Sequence, residues 1–229
     1  MADQLYIIRF VEPLRMAGRI IISSPMTPPA PETDDELWMR MRSGDEQAFV
    51  SLYRRRQGAI YRFALHMSGS APAAEDVTQE VFLALIREDC GYDPERGSLS
   101  AYLFGIARKL VLRQMERGRS DAPLEGSTEE TTRPELAASD NPLVDLTRKE
   151  TLDSLRRAVL ALPRRYREVV VLCDLEELDY ADAAVALGCP IGTVRSRLHR
   201  ARALLLEKLS YERSSRAPLG SWKPLRSFI

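Results

Sequence analysis

The stretch from Gly188 to Arg202 stops one helix, turns, and starts another whose two sides cannot share an environment. At about 100° per residue, Ile191, Val194, Leu198, Ala201, Leu205 and Leu209 fall on one narrow stripe that must be buried against neighbouring helices. Opposite lie Thr193, Ser196, His199 and Arg200, flanked by Arg195 and Arg197, and no acidic residue follows until Glu207. A helix that is apolar inward and cationic outward, with partial positive charge at its own N-terminus, suits a phosphate-bearing polymer. Upstream, Asp179 can cap a short helix with Asp182 near its first turn; Ala183, Ala184 and Leu187 pack it and Gly188 breaks it. Together the two segments read as a helix-turn-helix.

Charge limits how such a chain meets nucleic acid. It holds 33 basic and 33 acidic residues, so no long-range basic field carries it there, and any contact must be local or assisted. Cys90, Cys173 and Cys189 are too widely spaced for a zinc pattern and odd in number, which points to a reducing compartment, the cytoplasm. With only His66 and His199, no Gly-rich phosphate loop and no paired-histidine motif, neither an enzyme nor a metal or other cofactor is expected.

Apolar positions elsewhere recur at helical rather than alternating intervals, so the expected fold is all-α. Residues 1–33 read as an unstructured extension or as sequence upstream of a start at Met26. Arg9, Glu12, Pro13, Arg15 and Arg19 interrupt its apolar patches, so it does not insert in a membrane. Thr33 and the acids Asp34 to Glu36 open a helix through Leu37, Trp38 and Met41. Asp45 caps a longer one, whose Phe49, Leu52, Tyr53, Ile60, Phe63, Ala64 and Met67 are core, up to Ser68-Gly69-Ser70. A third, about Ala73 to Arg87, buries Val77, Val81, Ala84 and Leu85. It leaves Leu83 amid Asp76, Gln79, Glu80 and Arg87, either a docking surface or a solvated face.

A turn-rich loop from Gly91 to Ser98 precedes a fourth helix, Leu99 to about Arg117, on which Tyr102, Phe104, Arg108, Lys109 and Arg113 interleave aromatics with cations. Such residues either stack single-stranded bases or belong to the core and its rim. Residues 118–145 lose periodicity and read as a flexible acidic linker. Residues 146–209 resume as helices: Leu152, Leu155, Val159 and Leu162 form a buried line, and the apolar run Val169 to Cys173 sits mid-domain. Residues 210–229 read as a disordered tail. The domains are then 34–117 and 146–209, two small helical units, the second a helix-turn-helix.

Four segments in order carry a resemblance: Asp76 to Phe82; Ile106-Ala107-Arg108; Leu162-Pro163 with Arg167-Glu168-Val169; and Gly192 to Arg202. They resemble bacterial RNA polymerase sigma factors of the sigma-70 family, and within it the small two-domain extracytoplasmic-function (ECF) group, over about Asp34 to Leu209. The resemblance implies that Asp76, Gln79, Glu80 and Leu83 face the clamp helices of the core polymerase's largest subunit. It implies that Tyr92, Arg96, Tyr102, Arg108 and Lys109 hold the melted minus-10 strand. It also implies that Thr193, Arg195, Ser196, Arg197, His199 and Arg200 read the minus-35 element of promoter DNA. Control by an anti-sigma factor is part of the same expectation. Lys109 stands where the family often has asparagine and Tyr102 where tryptophan is frequent, so promoter preference does not carry over. The alternative is a stand-alone helix-turn-helix regulator that binds duplex DNA without polymerase.

Overall fold

The computed structural model describes residues 32–87, 90–121 and 142–216, and these are helical with no strand among them. The expectations for residues 1–31, for most of the linker (122–141) and for residues 217–229 lie outside the described residues.

Caps set the helix ends largely where the sequence places them. In α1 (Asp34–Arg42) the Thr33 amide donates to Glu36 Oε2 at 2.7 Å and the Glu36 amide to Thr33 Oγ1 at 3.2 Å, a reciprocal box. Asp45 accepts from the Gln47 and Ala48 amides to start α2 (Glu46–Ser68). Gly69 ends it at φ 75°, the left-handed conformation that a side chain disfavours. Ser70 caps α3 (Ala71–Ile86), and α4 (Leu99–Asp121) follows a short 3-10 turn at Pro94–Arg96. Then come α5 (Pro142–Leu160), α6 (Arg164–Val170), which widens into a π turn at Val171–Leu175, α7 (Tyr180–Leu187) and α8 (Ile191–Arg216). Three ends extend past expectation: α4 runs on to Asp121, α5 starts at Pro142, and α8 continues beyond Leu209 to Arg216. No helix among the described residues is long and apolar enough to cross a membrane.

One continuous hydrophobic core joins elements on both sides of the expected linker. Phe63 of α2 and Phe104 of α4 meet edge to face at 5.5 Å, and the same cluster takes in Val169 to Leu172, Leu187, Val194 and Leu198. Phe104 is therefore core. Arg167 ties the halves further: its guanidinium donates to the Met67 carbonyl at 2.6 Å and to the Leu160 and Leu162 carbonyls, groups that helix ends leave without partners.

His66 lies near the end of α2, where burial, then Arg156 and Arg62, push its imidazole down to about 4. The unfolded histidine titrates near about 6.5, so as pH falls the unfolded chain takes up the proton first. This contribution to stability is present above the unfolded value and is lost as pH drops toward the folded one. Between about pH 7 and pH 5 the wild type should lose about 2 kcal/mol more than His66→Gln, measured by urea unfolding at both pH values. Equal losses in the two proteins would show that His66 stays hydrated.

Candidate nucleic-acid interface and docking face

The helix-turn-helix forms as its sequence dictates. Asp179 accepts from the Asp182 amide at 2.7 Å, and Gly188 turns the chain at φ 64°, letting the Cys189 amide reach the Ala184 carbonyl at 3.0 Å. In α8, Val194, Leu198 and Ala201 are buried, whereas Ile191, expected on the same stripe, is 40% exposed because it opens the helix beyond the edge of the core. Arg195, Ser196, His199 and Arg200 are exposed, with Thr193 and Arg197 half-buried beside them. Arg202 is committed elsewhere: it donates to both carboxylate oxygens of Asp174 at 2.6 and 3.1 Å, a bidentate pair that fastens α8 to the π turn.

Two residues of this face are not evident from periodicity. Tyr166, on α6, is buried against α8, and the guanidinium groups of Arg200 and Arg165 near its phenol lower its pKa. The Arg165 guanidinium also covers the Tyr166 ring at 4.7 Å. Tyr166 thus braces one recognition-helix cation and sets another beside it. The signal was the Arg-Arg-Tyr run opening α6.

The five residues expected at the melted strand separate into three groups. Tyr92 is buried: its ring meets Trp38 edge-on at 5.0 Å and Tyr102 at 5.4 Å, and its hydroxyl donates to Asp35. Burial first, and then the Asp35 acceptor, push the phenol far above its usual range, so it stays neutral. Tyr92, implied by the resemblance among the minus-10 contacts, is held inward and anchors the loop. Tyr102 is half-buried in the same cluster, and Arg96 and Lys109 are exposed. Arg108 is half-buried with Nε 3.2 Å from Oε1 of Glu168, a carboxylate on α6 with its side chain 2% exposed.

On α3 the face expected to dock is presented as a unit. Asp76, Gln79 and Glu80 are exposed and Leu83 is 51% exposed among them. Beside it runs an open groove between α2 and α3, lined by Phe49, Tyr53, Gln57, Tyr61, Phe82 and Leu83. Phe49 and Tyr53 were read as core; they are half-buried and wall the groove, with Tyr53 and Phe82 at 4.7 Å. An apolar groove rimmed by Gln79, Gln57 and Glu75 is the shape and chemistry of a protein-docking surface.

Residues 52–120 match the family model described as Sigma-70 region 2, and residues 152–205 the one described as Sigma-70, region 4. The ECF RNA polymerase sigma factor SigE of Mycolicibacterium smegmatis is 35% identical over 179 residues, 76% of this chain and 68% of that protein. The ECF RNA polymerase sigma factor SigC of Mycobacterium tuberculosis is 33% identical over 185 residues, 77% and 94% of the two chains. Among solved structures, the sigma factor RpoE of Bartonella quintana, co-crystallised with the anti-sigma factor NepR, is 28% identical. It covers 71% of this chain and 96% of that one, with a TM-score of 0.57.

Proposed function

The chain belongs to the ECF group of the sigma-70 family of RNA polymerase sigma factors, and from that premise we propose that it docks on core RNA polymerase and chooses promoters through two separate surfaces. The observation that carries this reading is the ordered match to both sigma-70 regions in one chain. Residues 34–117 would form the polymerase and minus-10 domain, residues 146–209 the minus-35 domain, with 118–145 as the tether.

Each role follows from the chemistry of its surface. Leu83, ringed by Asp76, Gln79 and Glu80, enters an apolar site on the polymerase clamp helices while the polar ring fixes orientation. Arg195, Arg197 and Arg200 reach guanine edges and phosphates in the major groove, with Thr193, Ser196 and His199 filling in polar contacts. Arg96, Tyr102, Arg108 and Lys109 grip the extruded minus-10 strand by stacking and phosphate contact, over a loop that Tyr92 holds in shape. The protein acts by binding, not by bond-making. Two weak DNA contacts tied to one polymerase gain from effective concentration, which is how an electrically neutral chain reaches DNA. An anti-sigma factor holds it until a signal arrives, a role supported by the Bartonella relative solved with NepR.

Run-off transcription with purified core enzyme on a promoter pool tests the reading: transcripts present only with this chain support it, and their absence under all conditions contradicts it. Tyr166→Phe offers a finer check, since it keeps the ring under Arg165 and removes only the hydroxyl that braces Arg200. Minus-35-dependent initiation should fall about fivefold, the effect of loosening one exposed cation by about 1 kcal/mol. Core binding should be unaltered in a parallel titration.

A further inference from the structure

We propose that Arg165, at the start of α6 and outside the helix-turn-helix, is a further DNA contact: its guanidinium meets a backbone phosphate on the ridge that borders the major groove beside the minus-35 element. The inference rests on the minus-35 reading above. It adds to the recognition helix a cation carried by a different helix.

Arg165 does not stand where the needs of α6 alone would put it. The first turn of a helix carries partial positive charge and favours acids, yet α6 opens on Arg164 and Arg165, with no acid in that turn and no side-chain cap. The two arginines then part. Arg164 turns to carboxylates, with Glu116 at 3.7 Å and Glu168 at 3.9 Å. Arg165 is exposed and makes no ion pair among the described residues; it lies over the Tyr166 ring at 4.7 Å. Beside the same phenol stands Arg200 of α8, also exposed and also without an ion pair among the described residues. Two guanidinium groups from different helices thus converge on one buried tyrosine. Like charge gathered in this way is relieved by an anion from outside, and a guanidinium held flat on a ring is preorganised for phosphate.

The position fits the edge of the groove and not its floor. Packed helices stand about 8–10 Å apart, whereas a helix centred in a major groove about 12 Å wide has a phosphate ridge about 6 Å to either side. With α8 in the groove, a side chain of α6 that flanks Arg200 therefore meets backbone before it meets bases. Such a contact adds affinity and fixes register without reading sequence.

Binding of the holoenzyme, core polymerase with the full chain, to a promoter duplex selected in run-off is measured over a range of salt concentrations. Arg165→Ala should lower affinity about fivefold, alike for templates with an intact and with a base-substituted minus-35 element, and should reduce the slope of log affinity against log salt by about 1. Arg165→Lys, which keeps the charge, should restore the slope. Arg200→Ala should instead lose discrimination between the two templates. Methylphosphonate replacement of single phosphates along the borders of the element then finds the partner: one replacement should weaken wild type about fivefold and leave Arg165→Ala unaffected. An unchanged slope, the lack of any such phosphate, or a loss of core binding in Arg165→Ala overturns the proposal. Lost discrimination in Arg165→Ala overturns it too, because Arg165 would then act only by orienting its neighbour. If Arg195→Ala and Arg200→Ala also bind both templates as wild type does, the minus-35 reading falls and the proposal with it; if they lose discrimination while Arg165→Ala binds as wild type, the phosphate contact fails alone.

Discussion

Leu83→Glu is expected to weaken binding to core RNA polymerase by about a hundredfold, the loss typical of a central apolar anchor replaced by a charge. Leu83 is half exposed and touches solvent across most of its outer face, so the substitution leaves the α2–α3 core intact and the melting temperature nearly unchanged. The new carboxylate would sit among Asp76 and Glu80, adding like charge and a desolvation cost at the point where the partner must close. Leu83→Ala, which removes the anchor without adding charge, should lose less. Fluorescence titration of labelled protein with core enzyme measures both; affinities equal to wild type would place the polymerase contact elsewhere on the chain.

Arg195→Ala together with Arg200→Ala should reduce run-off from a minus-35-dependent promoter by about a hundredfold, from two cation contacts each worth about 1–3 kcal/mol. Both side chains are exposed on α8, away from Val194, Leu198 and Ala201, which hold the helix in place. Core affinity should be unchanged, which separates this variant from Leu83→Glu. A joint loss of core binding and initiation would mean that α8 faces the polymerase.

Helix ends and inward faces were legible because their causes are local. Thr33 with Glu36, Asp45, Gly69, Asp179 and Gly188 each act within about one turn of themselves, and the buried stripe of α8 follows from helical spacing. The exposed Leu83 of α3 was also visible, since an apolar residue among polar neighbours needs no tertiary knowledge to stand out. Pairings far apart in sequence were not visible. Arg202 reads as one more basic residue of the recognition helix until Asp174, 28 positions away, claims it. Arg108 reads as a free cation until Glu168, 60 positions away, faces it. Tyr92 reads only as part of a turn-rich loop; Asp35, 57 positions back, and Trp38 draw it inward. The groove behind Leu83 escaped for a related reason: periodicity assigns Phe49 and Tyr53 to the buried side of α2, and only the set of α3 against it leaves them partly open.

One chain, docked on polymerase, is proposed to grip two promoter elements at once. Inserting about five base pairs, roughly half a helical turn, between the minus-35 and minus-10 elements of a responsive template tests it most directly. Run-off transcription should collapse toward the level seen when the minus-35 element is deleted, because the two surfaces then face different sides of the duplex. Undiminished transcription from the lengthened template would contradict the two-point grip.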